Sequence, residues 1–211
     1  MEYIRKSELK LIAKGSHSEI YQYLKPYGQY GLNMAVKMTT RPRFSIENLN
    51  LLNSIGCNKI YAELCSVEGE EAIFMENLYT DDVVYVFPNT YRNKWEENQP
   101  EVYLNTHKLK GISNMSSLLH QLRELAHACD SKGIELQIDM LSFGICKAEK
   151  TPNVMYKVAD VDCMMQDDGH IFKLSDNNIC EAKWALEIFV KYCVDESAQE
   201  DLLQQIKDFK W

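Results

Sequence analysis

The sequence predicts an α+β protein built as two lobes: a five-stranded sheet carrying one helix, then a reduced and mainly helical half. Three observations lead there. Short strand candidates separated by turn signals crowd the chain from Leu9 to Met75. The strongest helical periodicity comes later, between Asn114 and Cys129. Between the two, Tyr79 to Gly111 is punctuated by Asp81-Asp82, Pro88-Asn89, Asn93 and Asn98-Gln99-Pro100, which marks a connection with a large loop or short helices. The lobes are therefore set at residues 1–78 and 79–211 of a single domain.

Composition narrows the class. A chain of 211 residues can bury a sizeable core. With 45% hydrophobic and 26% charged residues, disorder is not the default. A net charge of −8 argues against a general nucleic-acid binder, which would present a basic stripe. No apolar run approaches the ~20 residues of a membrane helix, so no membrane segment is expected. Met1 to Lys10 lacks a signal-peptide core. Seven scattered cysteines, none in a Cys-x-x-Cys pair, read as buried thiols of a reducing, cytosolic-type compartment rather than a zinc site. His120 and His127 share a helix face but no metal-ligand spacing.

The elements follow in order. Leu9 to Ala13, Glu19 to Leu24 and Leu32 to Met38 read as a β-meander, with turns at Lys14 to Ser18 and around Pro26 and Gly28. Ser45 can cap a helix whose apolar positions are Leu49, Leu52 and Ile55, and Gly56 is placed to stop it. Lys59 to Val67 and Glu71 to Met75 form a hairpin across Glu68-Gly69-Glu70. After the connection, Leu118, Leu119, Leu122, Leu125 and Ala126 line one side of a long helix that ends before Gly133. Two strands follow, Phe143 to Lys147 and Val154 to Val158. The tail from Asn178 is helical, and Leu202 to Phe209 makes a further short helix.

Chemistry concentrates where strands end. Val154 to Val158 delivers Asp160 and Asp162 beyond its last residue. Paired carboxylates there suit Mg²⁺, a hard cation that takes carboxylate oxygens and phosphates. The same acids would also serve as turn residues or a surface ion pair. Earlier, Ile12-Ala13-Lys14-Gly15-Ser16-His17-Ser18 offers small residues at a tight turn, and small residues let backbone N–H groups approach a phosphate. A plain hairpin would use them too.

In this order the motifs resemble a protein kinase. The turn is similar to the glycine-rich loop, with Ala13, Gly15 and Ser18 at its small-residue places. Met34-Ala35-Val36-Lys37 is close to Val-Ala-Ile-Lys, which implies that Lys37 holds the α- and β-phosphates of ATP and pairs with Glu47, the one acid of the next helix. Ala72 to Leu78 resembles a hinge, with Met75 behind the adenine and the backbone of Glu76 to Leu78 holding the base. Asp139, in Ile134-Glu135-Leu136-Gln137-Ile138-Asp139, takes the catalytic aspartate slot. Lys157-Val158-Ala159-Asp160 precedes the metal position, so Asp160, with Asp162 beside it, is the implied Mg²⁺ ligand. The nucleotide set is Gly15, Ser16, Ser18, Lys37, Glu47, Met75, Glu76 and Leu78.

The chain departs from that pattern in several places. Gln137-Ile138 replaces His-Arg, Gly144 stands at the loop asparagine (with Ser142 or Gln137 as substitutes), and Val161-Asp162 replaces Phe-Gly. No Ala-Pro-Glu follows, and the 49 residues after Asp162 leave no room for the usual peptide platform. This miniature plan resembles the HopBF family of bacterial type III secreted effector kinases, with Leu52-Asn53-Ser54-Ile55-Gly56 closing the first-lobe helix. The resemblance implies an ATP- and Mg²⁺-dependent Ser/Thr kinase secreted into a host cytosol, acting on a host protein such as a heat-shock chaperone. The competing reading is a pseudokinase that binds nucleotide or protein without turnover. Transfer to a small molecule ranks third.

Overall fold

The structure of the protein is a computed structural model. It describes residues 2–15, 18–28, 31, 33–40, 50, 61–78, 80, 82–88, 108–158 and 178–211. The fold is α+β, and the described residues divide into two compact units, those up to 78 and those from 80 on.

The first unit holds a mixed six-stranded sheet: β1 (Glu2–Ile4), β2 (Leu9–Lys14), β3 (Ser18–Tyr23), β4 (Met34–Thr39), β5 (Tyr61–Val67) and β6 (Glu70–Glu76), in the order β1-β5-β6-β4-β3-β2. The expectation of five strands is thus corrected to six. The added strand is β1, which lies parallel to β5 with Ile4 opposite Val67. Three residues are too few to show a period, but Ile4 is fully buried and its carbonyl accepts the Glu68 N–H at 3.0 Å. That contact supports the β5–β6 turn, where Glu68 sits at φ 51° and Gly69 at φ 98°. Two successive positive φ values suit a tight hairpin, and a non-glycine residue there needs outside support. The Glu68 carboxylate adds some by accepting the Lys6 N–H at 3.1 Å. The helix expected over Ser45 to Gly56 falls, apart from Asn50, outside the described residues.

Both faces of the sheet centre are buried, so Met34 to Lys37 of β4 are buried in succession rather than alternately. One face gathers Ile4, Tyr23, Met34, Val36, Cys65, Val67, Ala72 and Phe74. Tyr27 stacks on Phe74 with ring centroids 4.2 Å apart, which closes that face. Burying each large side chain there contributes about 1.5–3 kcal/mol.

The second unit contains a three-stranded antiparallel sheet, β7 (Val83–Val86), β8 (Leu141–Cys146) and β9 (Val154–Val158), in that order. Its helices among the described residues are α1 (Met115–Lys132), α2 (Asn178–Cys193) and α3 (Glu196–Asp208). Strand β7 lies inside the region read as connection. Its four residues are hemmed in by turn formers at both ends. Phe143 of β8 packs on Phe189 of α2 at 4.7 Å between centroids. Leu118, Leu122 and Leu125 of α1 complete the core. Helix α1 stops at Gly133, which takes a left-handed φ of 67°, and the Ile134 N–H returns to the Cys129 carbonyl at 2.9 Å. No helix among the described residues is long and apolar enough to cross a membrane.

Candidate active site

Lys37 lies on β4 in the middle of the first sheet. It pairs with Ile20 of β3 on one side and Ile73 of β6 on the other. Cross-strand partners share a face, so Ala13, Ile20, Lys37, Ile73 and Leu64 form a row across five strands. Ala35 and Met75, themselves paired, stand two positions along on that same face. The result is an ammonium-bearing side chain only 3% exposed in an otherwise apolar row. A charge so placed demands a polar or anionic counterpart.

Where β2 meets β3, Gly15 and Ser18 stand a few residues from Ala13 and Ile20 of this row. The Gly15 N–H donates to the Ser18 carbonyl at 2.8 Å. Below the turn Lys14 opposes Glu19, with Nζ and Oε1 2.6 Å apart. The Tyr21 hydroxyl donates to the other Glu19 oxygen at 2.5 Å. That bond, with burial and the Glu19 charge, pushes the Tyr21 phenol up to about 12. Lys14 and Tyr21 together hold the Glu19 carboxyl below its usual range.

At the end of β6, Met75 and Leu78 are buried and Glu76 is half-buried. The Asn77 N–H donates to the Asn33 carbonyl at 3.1 Å. Backbone groups alternate sides along an extended chain, so those of Glu76 turn away from β4.

In the second unit the stretch from Ile134 to Ile138 leads into a 3-10 turn, Ile138–Met140, which contains Asp139. The stretch is tied to the first turn of α2. Asn178 Oδ1 accepts the Leu136 N–H at 2.6 Å, and its Nδ2 donates to the Ile134 carbonyl at 2.9 Å. Glu181 Oε2 accepts the Ile138 N–H at 3.0 Å. Sequence reasoning missed both residues. The Asn-x-x-Glu spacing is a visible helix-start signature. Its use on a segment more than forty positions earlier is not visible.

Gly144 sits in the middle of β8, paired with Tyr85 of β7 and Met155 of β9. A Cβ there would stand 2.6 Å from Tyr85 Cε1, so the ring occupies the space a side chain would need. Ser142 is fully buried and donates to the Lys157 carbonyl at 3.3 Å.

The described residues therefore bring Lys37, Met75, Gly15 and Ser18 onto one sheet or its edge, while Asp139 belongs to the second unit. Ser16, Glu47, Asp160 and Asp162 lie outside the described residues. Among the described residues no three His, Cys, Asp or Glu side chains gather as a metal site. No protein-family model matches the chain, and no curated protein matches it.

Proposed function

We propose that the protein is a minimal kinase that transfers the γ-phosphoryl group of ATP to a Ser or Thr hydroxyl of a protein substrate. The observation that carries this reading is Lys37: a buried lysine on the third strand of a meander, flanked by the strand of the small-residue hairpin and by the strand that ends at Glu76 and leads into Asn77-Leu78. An ammonium in that apolar row fits a phosphate partner, and Glu47 is the side chain that would orient it. The flanking hairpin fits a phosphate cover. The apolar Ala35, Ile73 and Met75 fit the edge of an aromatic base.

In this reading Lys37 binds the α- and β-phosphates, and the backbone of the Gly15 turn donates to phosphate oxygens. Asp139 orients the substrate hydroxyl and accepts its proton as the oxygen bonds to the γ-phosphorus and ADP departs. Asp160 and Asp162 would hold Mg²⁺, which supplies neutralisation of phosphate charge when bound. The host setting and a chaperone substrate rest on the resemblance to secreted effector kinases and belong to the same proposal.

The second reading, a pseudokinase, draws on Gly144. With the Tyr85 ring over it, this position offers no second metal ligand. Radiolabel transfer from ATP to the chain itself or to a heat-shock chaperone separates the two. Transfer by the wild type and its loss in Asp160→Ala are the expected results. Equal transfer by both proteins would exclude the mechanism, and nucleotide binding without any transfer would select the pseudokinase.

A further inference from the structure

Asn178 is 2% exposed, and the structure gives it three hydrogen bonds. Besides those to Leu136 and Ile134, its Nδ2 donates to Asp130 Oδ1 at 2.6 Å. One helical turn on, Glu181 accepts from Ile138. Residues 134, 136 and 138 are thus each fixed through one backbone group, and Asp139 is the next residue. An asparagine and a glutamate three apart at a helix start ordinarily serve their own helix's free N–H groups. Here both reach a separate segment. The Asn178 contacts require an acceptor and a donor on one side chain, a condition that aspartate cannot meet beside the Asp130 carboxylate. The Glu181 contact requires only an acceptor, which glutamine also provides.

We propose that Asn178 and Glu181 are positioning residues: they fix the backbone of 134–138 and so set where Asp139 is presented. The inference rests on the phosphoryl-transfer reading of Asp139. Its logic is that small displacements of a catalytic group lower the rate of the chemical step while leaving nucleotide binding intact.

The test uses the full chain with ATP and Mg²⁺, and follows amide hydrogen exchange at Leu136 and Ile138 beside steady-state ATP turnover. Glu181→Ala should quicken exchange at Ile138 about tenfold. It should lower kcat about 10- to 100-fold with KM for ATP unchanged. Glu181→Gln should restore both readouts. Asn178→Ala should act likewise at Leu136, and because it opens the core, the Glu181 pair decides the matter should that variant not fold. Unchanged exchange at Ile138 in Glu181→Ala overturns the inference. So does faster exchange with unchanged kcat, or a glutamine variant as impaired as the alanine one. These results presuppose a wild type that turns over ATP. A wild type with no turnover overturns the kinase reading, and the positioning role falls with it.

Discussion

A methyl group added at Gly15 would meet the Ser18 carbonyl oxygen at 3.7 Å and its hydroxyl at 3.8 Å, which is ordinary contact. Gly15 does not occupy the left-handed region either. Among the described residues nothing in the hairpin requires glycine there. Gly144 is the opposite case, because its methyl would collide with the Tyr85 ring. Urea denaturation should read the contrast. Gly15→Ala should stay within about 0.5 kcal/mol of the wild type, whereas Gly144→Ala should lose about 1–3 kcal/mol through overpacking. If the Gly15 turn cradles phosphate, its alanine variant should also bind ATP more weakly while remaining fully folded. Weakened nucleotide binding at unchanged stability places the role of Gly15 in the ligand and not in the fold. A large stability loss in Gly15→Ala would contradict the geometry.

At the scale of elements, α3 shows how local chemistry sets a boundary. Asp195 caps it, accepting the Ser197 N–H at 3.1 Å and the Ser197 hydroxyl at 2.9 Å. Lys110 reaches the other carboxylate oxygen at 2.6 Å. The Lys110 contact first, and the Ser197 bonds after it, hold the Asp195 carboxyl well below the usual carboxylate range. A depressed pKa stabilises the fold above the unfolded value of about 3.9 and loses that contribution as pH falls through the folded value. Asp195→Asn keeps a good cap but gives up the ion pair. Its thermal midpoint should trail the wild type by a constant margin from pH 5 to 7, and the gap should close below pH 4. A gap that widens in acid would contradict the assignment.

The same helix shows what the sequence makes legible. The sequence reading places a short helix over Leu202 to Phe209, whereas the observed helix starts earlier, at Glu196, behind a local cap outside that reading, Asp195 on Ser197. Strands β2 to β6 announce themselves as short, largely apolar runs between turn signals. Strand β1 does not, since its three residues gain their place by pairing with β5. For the candidate site, the pattern around Lys37 is readable because the residue is framed by its own strand. Asn178 and Glu181 are not, because their partners are set by tertiary packing.

At the scale of the whole molecule, the chain carries a net charge of −8, which repels an anionic nucleotide at long range. Any triphosphate site must therefore depend on local cations and metal, and Lys37 is the buried lysine that the first sheet supplies. The proposed function assigns the Lys37 ammonium to the phosphates, Asp160 to the metal and Asp139 to the substrate hydroxyl. The most direct measurement is an experimental structure of the chain with a non-hydrolysable ATP analogue and Mg²⁺. The account predicts Lys37 Nζ in hydrogen-bond contact with the α- and β-phosphates, Asp160 on the metal, and the Asp139 carboxylate facing the γ-phosphate. An analogue bound away from Lys37, or these three side chains directed to separate surfaces, would contradict it.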